Sequence, residues 1–256
     1  MKFIGEISVQ LNSNKIIEAC LLAGKIMLEN GAETYRVEDT MQRMATSLGI
    51  KQSHCFAMPT GIIFSIDEME QTKLVRVLER TIDLNKVAMV NNISRRMAQG
   101  EISVDEALLE LKQIDESKPE YPVWLQLTSV SILSGWFLIM FQGKWADFVP
   151  AMISGGLGFA FLVYVHRFAK IKFFSEFLAS FVIGFTAIWQ VKLGIGTDLD
   201  KIIIGSVMPL VPGLHITNAV RDLMAGHLVA GLSKGAEAFL TAFAIGSGIA
   251  IVLSIY

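Results

Sequence analysis

Apolar positions in the first part of the chain recur at helical spacing. Two stripes predict two amphipathic helices, because residues three to four apart share one face of a helix. The first helix is expected to end at Asn30-Gly31 and the second at Gly49, since glycine commonly ends helices. The stripes comprise Ile16, Cys20, Ala23 and Met27 in the first helix, and Val37, Met41, Met44 and Leu48 in the second.

The period then changes to two, the alternation that is expected of β-strands. Two more helices follow, one over about residues 84–98 and one from Ser103, where Glu106 predicts a capping box. This region is therefore predicted to be an α+β domain in the order helix, helix, three strands, helix, helix. The predicted strands cover residues 56–58, 62–66 and 73–79, with turns at residues 59–61 and 67–71.

Apolar runs fill the rest of the chain. Each has close to the roughly 20 residues that a membrane-spanning helix needs. Small residues four apart, such as Ser154 and Gly158, let such helices approach closely, either within one five-helix bundle or toward a partner subunit. The five predicted spans cover about residues 123–141, 145–165, 173–191, 201–219 and 236–256.

The fourth predicted span is interrupted by Pro209 and Pro212, and Gly213 follows directly. Proline removes a backbone donor and breaks a helix. Irregular backbone at membrane depth persists only where protein or a water-filled cavity satisfies it. Because polar and charged residues come after this break, the stretch indicates a transport site.

The two regions also differ in charge. Residues 1–120 contain 14 Lys/Arg and 18 Asp/Glu, whereas residues 121–256 contain 8 and 6. The first density is normal for a soluble domain and the second is typical of a membrane domain. We therefore predict a cytoplasmic α+β domain over residues 1–118 and an all-α domain of five transmembrane helices over residues 119–256, with the linker at Pro119 and Pro122.

Basic residues in the predicted loops indicate the orientation, because Lys and Arg are enriched on the cytoplasmic side. The larger set predicts that residues 1–118 face the cytoplasm and that the protein is a multi-pass protein of the plasma membrane. One side would hold Arg167, Lys170, Lys172, Arg221 and Lys234, and the other Lys144, Lys192 and Lys201.

Little in the sequence indicates a cofactor, a metal or nucleic acid. The net charge is −2, and Cys20 and Cys55 lack metal-ligand spacing, which predicts reduced, packed thiols. No phosphate loop or nucleophile motif occurs, so we expect neither ATP-driven pumping nor an enzyme. The charged residues from Glu33 to Asp39 are expected to cap the second helix and to contact solvent.

Three stretches together resemble the N-terminal module of the threonine/serine exporter family of bacterial and fungal membrane proteins. The resemblance extends from about Lys15 to the C-terminus, and the third stretch is the most specific because its elements hold fixed spacing. The stretches are Gly31-Ala32-Glu33-Thr34-Tyr35-Arg36-Val37-Glu38, Thr60-Gly61-Ile62-Ile63-Phe64, and Val211-Pro212-Gly213 with Asn218-Ala219 and Arg221-Asp222-Leu223.

This resemblance implies export of threonine and serine by a proton-driven secondary transporter. Some relatives with the same split layout are instead linked to export of succinate. Full-length members carry a second module of transmembrane helices. The resemblance therefore implies a second multi-span membrane protein as partner, and a homo-oligomer is the alternative.

The broken span supplies the candidate site residues. If Gly213 begins a half-helix, its first amides and the positive end of the helix dipole can bind a carboxylate. His215, Asn218 and Asp222 share a face, and Arg221 flanks it. We hypothesise that Asn218 orients the substrate, that Asp222 binds its amino group or relays a proton, and that Arg221 pairs with Asp222 or with substrate. Alternatively, Arg221 and Asp222 lie in a cytoplasmic loop and only cap a helix end.

Two other functions stay open. The first is export of a dicarboxylate, which has two anionic ends and needs two cationic or amide sites. Because both Asp222 and Arg221 are present, the sequence does not distinguish a dicarboxylate substrate from an amino acid. A membrane-anchored sensor or scaffold would use the spans only to anchor and oligomerise. A plain anchor does not need a proline-broken span with an Arg-Asp pair beside it, which favours transport.

Overall fold

The computed structural model describes residues 2–50, 52–66, 71–117, 121–169 and 173–256. The predicted turn at residues 67–71 falls largely outside this range, as do Pro119, Lys170 and Lys172. The chain divides into two compact units, each built from two stretches of sequence. The first unit is Met1–Pro119 with Leu214–Gly235, and the second is Glu120–Gly213 with Ala236–Tyr256.

The first unit contains the predicted helical and strand elements in the predicted order. Both apolar stripes lie in its core, where Ile16, Cys20, Val37 and Met41 are buried. Helices α1 and α2 approach closely at Gly24, because a Cβ atom there would collide with the Met41 side chain. The helices are α1 (Lys2–Glu29), α2 (Thr34–Ser47), α3 (Leu84–Ala98) and α4 (Val104–Glu116).

The sheet is antiparallel with the order β1-β2-β3, and the central strand supplies the buried face. Ile62, Phe64 and Ile66 alternate into the core, as the period of two predicts. The third strand ends at Arg76, so the predicted extension to residue 79 is wrong. The strands are β1 (Ser53–Met58), β2 (Gly61–Ile66) and β3 (Gln71–Arg76).

The predicted capping box is confirmed at the start of α4. The Ser103 hydroxyl accepts from the Glu106 amide, and the Glu106 carboxylate accepts from the Ser103 amide. At α3 the Asp83 carboxylate accepts from the first-turn amides of Asn85 and Lys86. Both helices thus begin where a side chain satisfies amides that lack an intrahelical acceptor.

The second part of the chain is helical. Gly213 begins α9, as the break at Pro212 predicts. Helix α10 begins at Leu228, well before the predicted residue 236, so Lys234 lies within a helix rather than in a loop. The helices are α5 (Val123–Met140), α6 (Phe148–Ala169), α7 (Phe174–Lys192), α8 (Leu199–Val207), α9 (Gly213–Met224) and α10 (Leu228–Ile255), with 3-10 turns at Trp145–Asp147 and Met208–Leu210.

By length and composition, the described residues contain four helices that could cross a membrane. The number is five if the bent pair Leu199–Leu210 and Gly213–Met224 forms one span. The fold is therefore mostly helical, with a small sheet in its N-terminal region. The four apolar helices are Val123–Met140, Trp145–Phe168, Phe174–Lys192 and Leu228–Ile255.

Small residues allow close helix packing inside the second unit. A Cβ atom added at Gly155 would collide with Ser134 of α5, one at Gly158 with Ile183 of α7, and one at Gly248 with Ser180. The spacing of small residues therefore serves packing within one chain at these positions. Gly246 differs, because no atom lies close to the position of its missing Cβ.

Candidate functional site

The short link between α1 and α2 forms the centre of the candidate site. Helix α1 ends at Glu29, and Gly31 then adopts a φ of 90°, which favours glycine. The amide of Ala32 donates to the carbonyl of Met27 at 3.0 Å, closing the end of α1. This geometry presents the carbonyls of Gly31 and Ala32 and the first amide of α2, at Thr34, to α9 and α10.

Asp222 of α9 binds the start of α2. Its carboxylate accepts from the amide of Thr34 at 2.9 Å and from the hydroxyl of the same residue at 2.8 Å. Glu33 occupies the N-cap position, but its side chain makes no capping hydrogen bond. The expectation that Glu33 caps this helix is therefore wrong, because a carboxylate distant in sequence takes that role.

Lys234 of α10 neutralises Asp222. Its ammonium nitrogen lies 2.7 Å from the Asp222 carboxylate and donates to the Thr34 hydroxyl at 3.1 Å and to the Ala32 carbonyl at 3.2 Å. The side chains of Lys234 and Asp222 are 8% and 0% exposed. A buried ion pair is expensive to desolvate unless hydrogen bonds satisfy its remaining groups. Here three acceptors match the three donors of the ammonium group.

Asn218 fixes the same link from one turn earlier on α9. Its side-chain amide donates to the Gly31 carbonyl at 2.8 Å, and the residue is buried. Helix α10 packs closely on α9, since a Cβ at Gly231 would lie 2.9 Å from the Ala219 carbonyl oxygen. Asn218, Asp222 and Lys234 therefore hold one short stretch of backbone from two helices.

Glu33 lies between two arginines. Arg221 lies 2.5 Å from its carboxylate, and Arg36 lies 3.3 Å from it. Burial alone would raise the pKa of Glu33, but the hydrogen bond from Arg221 and those from its own backbone and Arg36 outweigh it, so the pKa is lowered. The Arg221 side chain is 56% exposed, which leaves guanidinium donors accessible.

A second acid of α2 connects the sheet to the turn between α9 and α10. The Glu38 carboxylate accepts from the Ala57 amide at 2.8 Å, and His227 Nδ1 lies 3.8 Å from it. Burial raises the pKa of Glu38, and the hydrogen bond from Ala57 opposes this rise. Glu38 therefore joins β1 to the same helical pair that holds Asp222 and Lys234.

Acids and bases balance in this cluster. The three acids are Asp222, Glu33 and Glu38, and the three bases are Lys234, Arg221 and Arg36, so the formal sum is zero with His227 neutral. The Asp222–Lys234 pair is closed off from solvent. The accessible donors belong to the arginines, and they favour an anion such as a carboxylate.

The structure brings together three of the predicted site residues, Asn218, Arg221 and Asp222. Gly213 and His215 lie on the first turn of α9, earlier on the same helix. Of the helix-breaking residues, Pro209 lies in a 3-10 turn and Pro212 immediately precedes α9. Arg221 pairs with Glu33, and Asp222 pairs with Lys234.

Sequence reasoning missed Lys234, Thr34 and the role of Glu33. One signal in the sequence was available, because Lys234 lies directly before an apolar run. If the helix begins before Lys234, the lysine is buried and needs an acid close by. Within the described residues, no group of three or more His, Cys, Asp or Glu could hold a metal ion. Burial raises the pKa of the Cys20 and Cys55 thiols to about 12, which keeps both protonated.

Four or five apolar helices of spanning length are the feature of a multi-pass membrane protein. Sequence comparison gives the particular family. The family ThrE, described as "Putative threonine/serine exporter", matches residues 18–256. The chain therefore belongs to this transporter family.

Individual relatives are distant. A "Probable threonine/serine exporter" of Mycobacterium tuberculosis is 21% identical over 91% of this chain and 45% of its own length. The "Probable succinate transporter subunit YjjP" of Escherichia coli is 24% identical over 94% of both chains. "Pheromone-regulated membrane protein 10" of Candida albicans is 26% identical over 88% of this chain and 21% of its own length. No solved structure matches the chain.

The relatives differ in how much of their own length this chain covers. The chain spans less than half the length of the mycobacterial and yeast relatives. It spans nearly the whole of the protein that is named a transporter subunit.

Proposed function

We propose that this chain is a subunit of a secondary transporter that exports small carboxylate-bearing metabolites, with threonine and serine as the first choice. Residues 1–118 would face the cytoplasm, residues 119–256 would form the plasma-membrane domain, and a second multi-span protein or a further copy would complete the path. Family membership and the name of the mycobacterial relative support the choice of substrate.

The buried Asp222–Lys234 pair carries this proposal. Both charges are buried against the link at residues 31–34, and burying charged groups is costly. Removing one partner of a buried ion pair lowers the free energy of unfolding by about 3–5 kcal/mol, so both residues are needed to keep this pair in place. A pair that served only to hold a helix start could be replaced by neutral groups at less cost.

An amino acid presents groups that match this cluster. Its ammonium group is chemically equivalent to the Lys234 side chain, so it can take the place of Lys234 at the Asp222 carboxylate. Its carboxylate can pair with the exposed donors of Arg221 or with the first amides of α9 at Gly213. His215 and Asn218 would then line the path between these two groups.

Proton coupling follows from the same exchange. A proton on Asp222 removes the charge that Lys234 neutralises, which weakens the hold of α9 and α10 on the link at residues 31–34. Loss of that proton restores the ion pair. A proton gradient would thereby control how firmly α9 and α10 hold the link at residues 31–34.

Succinate export is the second candidate. The subunit-sized relative is named a succinate transporter subunit, and the exposed guanidinium donors of Arg221 favour an anionic solute. Under this alternative, Arg221 and Arg36 would hold the two carboxylates. Asp222 would then disfavour the substrate unless it is protonated.

Efflux from preloaded proteoliposomes tests these proposals. The chain, with any partner that co-purifies, is assayed with labelled threonine, serine and succinate. We expect threonine and serine efflux, driven by a proton gradient, and loss of at least about 90% of it in Asp222→Asn and Arg221→Ala. The matched control is Asp200→Asn, an exposed aspartate in the first turn of α8.

The outcomes separate the candidates. Efflux of succinate alone would replace the amino-acid assignment with the dicarboxylate one. Normal efflux from both Asp222→Asn and Arg221→Ala would refute the site. No efflux of any of the three substrates from a correctly inserted complex would favour a sensor or scaffold.

A further inference from the structure

A polar cavity lies in the first unit, and Asp222 is not among its lining residues. It measures about 410 Å³ and is formed where the end of α1, strand β3, the start of α3 and the end of α4 meet. Sites for small molecules typically measure about 300–1,000 Å³. Six charged residues line it: Lys25, Glu29, Arg76, Glu79, Lys86 and Asp115.

The charges in this cavity balance, with three bases and three acids. Some of these charged side chains already bind other groups of the protein. Lys25 lies 3.1 Å from the Asp115 carboxylate, and the Lys86 ammonium donates to the Ser117 carbonyl at 3.0 Å. These contacts join α1, α3 and α4 and explain why the walls hold their shape.

The other charged side chains of the cavity are available to bind a ligand. Within the part of the chain that the structure describes, the side chains of Arg76 and Glu79 make no hydrogen bond or ion pair. Glu29 lies 3.9 Å from Lys25, a long contact. The cavity therefore offers a guanidinium group and two carboxylates to a ligand.

We infer that this cavity binds a small zwitterion, of the class of a free α-amino acid. Arg76 pairs with the ligand carboxylate, since guanidinium groups bind carboxylates in two-point fashion. Glu79 and Glu29 accept from the ligand ammonium group. A dianion would leave these two acids facing like charge, and a simple cation would leave Arg76 unpaired.

The cavity shares a stretch of backbone with the candidate transport site. The Glu29 carbonyl accepts from the Thr81 amide at 2.7 Å, and the Asn30 carbonyl accepts from the Asp83 amide at 3.2 Å. The next residues, 31–34, are those held by Asn218, Asp222 and Lys234. Ligand binding can thus stabilise the link that the transport site uses, and this regulatory step rests on the proposed function.

Titration calorimetry on the purified full chain tests the binding site, with L-threonine as the probe. The measurement is made in the double variant Lys234→Met with Asp222→Asn, which removes the other site without leaving a buried unpaired charge. We expect saturable binding that weakens at least about tenfold in Arg76→Gln and in Glu79→Gln, as loss of one charge-assisted contact predicts. Lys112→Gln is the matched control, because Lys112 pairs with Glu18 outside the cavity.

Two analogues test the ligand class. L-Threoninamide lacks the carboxylate and succinate lacks the ammonium group, so each should bind at least about tenfold more weakly than threonine. Equal binding of threonine by Arg76→Gln and the control, or no binding by the correctly folded double variant Lys234→Met with Asp222→Asn, would overturn the inference. Normal export by Asp222→Asn would refute the transport site and leave this binding result standing.

Discussion

Two buried aspartates, one in each unit, bind a threonine in nearly the same way. Asp222 accepts from the amide and hydroxyl of Thr34, and Asp147 accepts from the amide and hydroxyl of Thr197 at 2.5 and 2.8 Å. Both aspartates are 0% exposed. The difference is the cation, because Lys234 neutralises Asp222.

Asp147 carries no ion pair among the described residues, and its surroundings explain why none is required. It directly precedes α6, where the positive end of the helix dipole favours an acid. It joins that helix start to the loop before α8. Asp147 is thus a structural clamp held by hydrogen bonds alone, whereas Asp222 is also paired with the buried ammonium group of Lys234.

The largest expected effect comes from removing the cation. Lys234→Met should leave Asp222 buried without a partner and lower the free energy of unfolding by about 3–5 kcal/mol. The double variant Lys234→Met with Asp222→Asn should recover much of this loss, because it removes the unpaired charge. Chemical unfolding in detergent measures both, and equal destabilisation by the single and double variants would contradict the ion-pair account.

Removing the clamp should have a smaller effect. Asp147→Ala deletes both acceptors of Thr197 and should lower the free energy of unfolding by about 1–3 kcal/mol. We expect export per folded molecule to remain close to the wild-type value, because Asp147 is not part of the Asp222 network. An export rate that fell well beyond the loss of folded protein would show that Asp147 also belongs to the transport machinery.

The smallest effect concerns pH. The pKa of Glu33 is lowered from its ordinary value near 4.5, so its stabilising contribution is present above that value and is lost as the pH falls through the lower folded-state value. The midpoint of thermal unfolding, measured between about pH 6 and pH 3, should drop more steeply for wild type than for Glu33→Gln. Parallel curves would show that the two arginines do not stabilise the Glu33 carboxylate.

Local patterns predicted much of the fold. The stripes of α1 and α2, the alternation in β2 and the capping box at Ser103 each depend on residues close in sequence, and each is confirmed. The start of α9 at Gly213 follows equally from Pro212. The division at residue 118 and the orientation in the membrane stay predictions.

The candidate site was only partly predictable because its partners are distant in sequence. Asp222 and Asn218 could be identified on one face of α9, but their partners at residues 31–34 come from a separate motif. Hydropathy predicts a loop at Lys234, because it penalises a lysine inside an apolar helix. The paired Asp222 removes that penalty, and only the folded structure reveals it.

Export per folded molecule in Asp222→Asn and Asp147→Asn, measured side by side, tests the central claim most directly. Both substitutions neutralise a buried aspartate that binds a threonine, and export per folded molecule corrects for the stability that Asp222→Asn loses by leaving Lys234 unpaired. We predict that labelled threonine efflux falls by at least about 90% in Asp222→Asn and stays near the wild-type rate in Asp147→Asn. Equal rates in the two variants would contradict the claim that the Asp222–Lys234 network is a transport site rather than a second clamp.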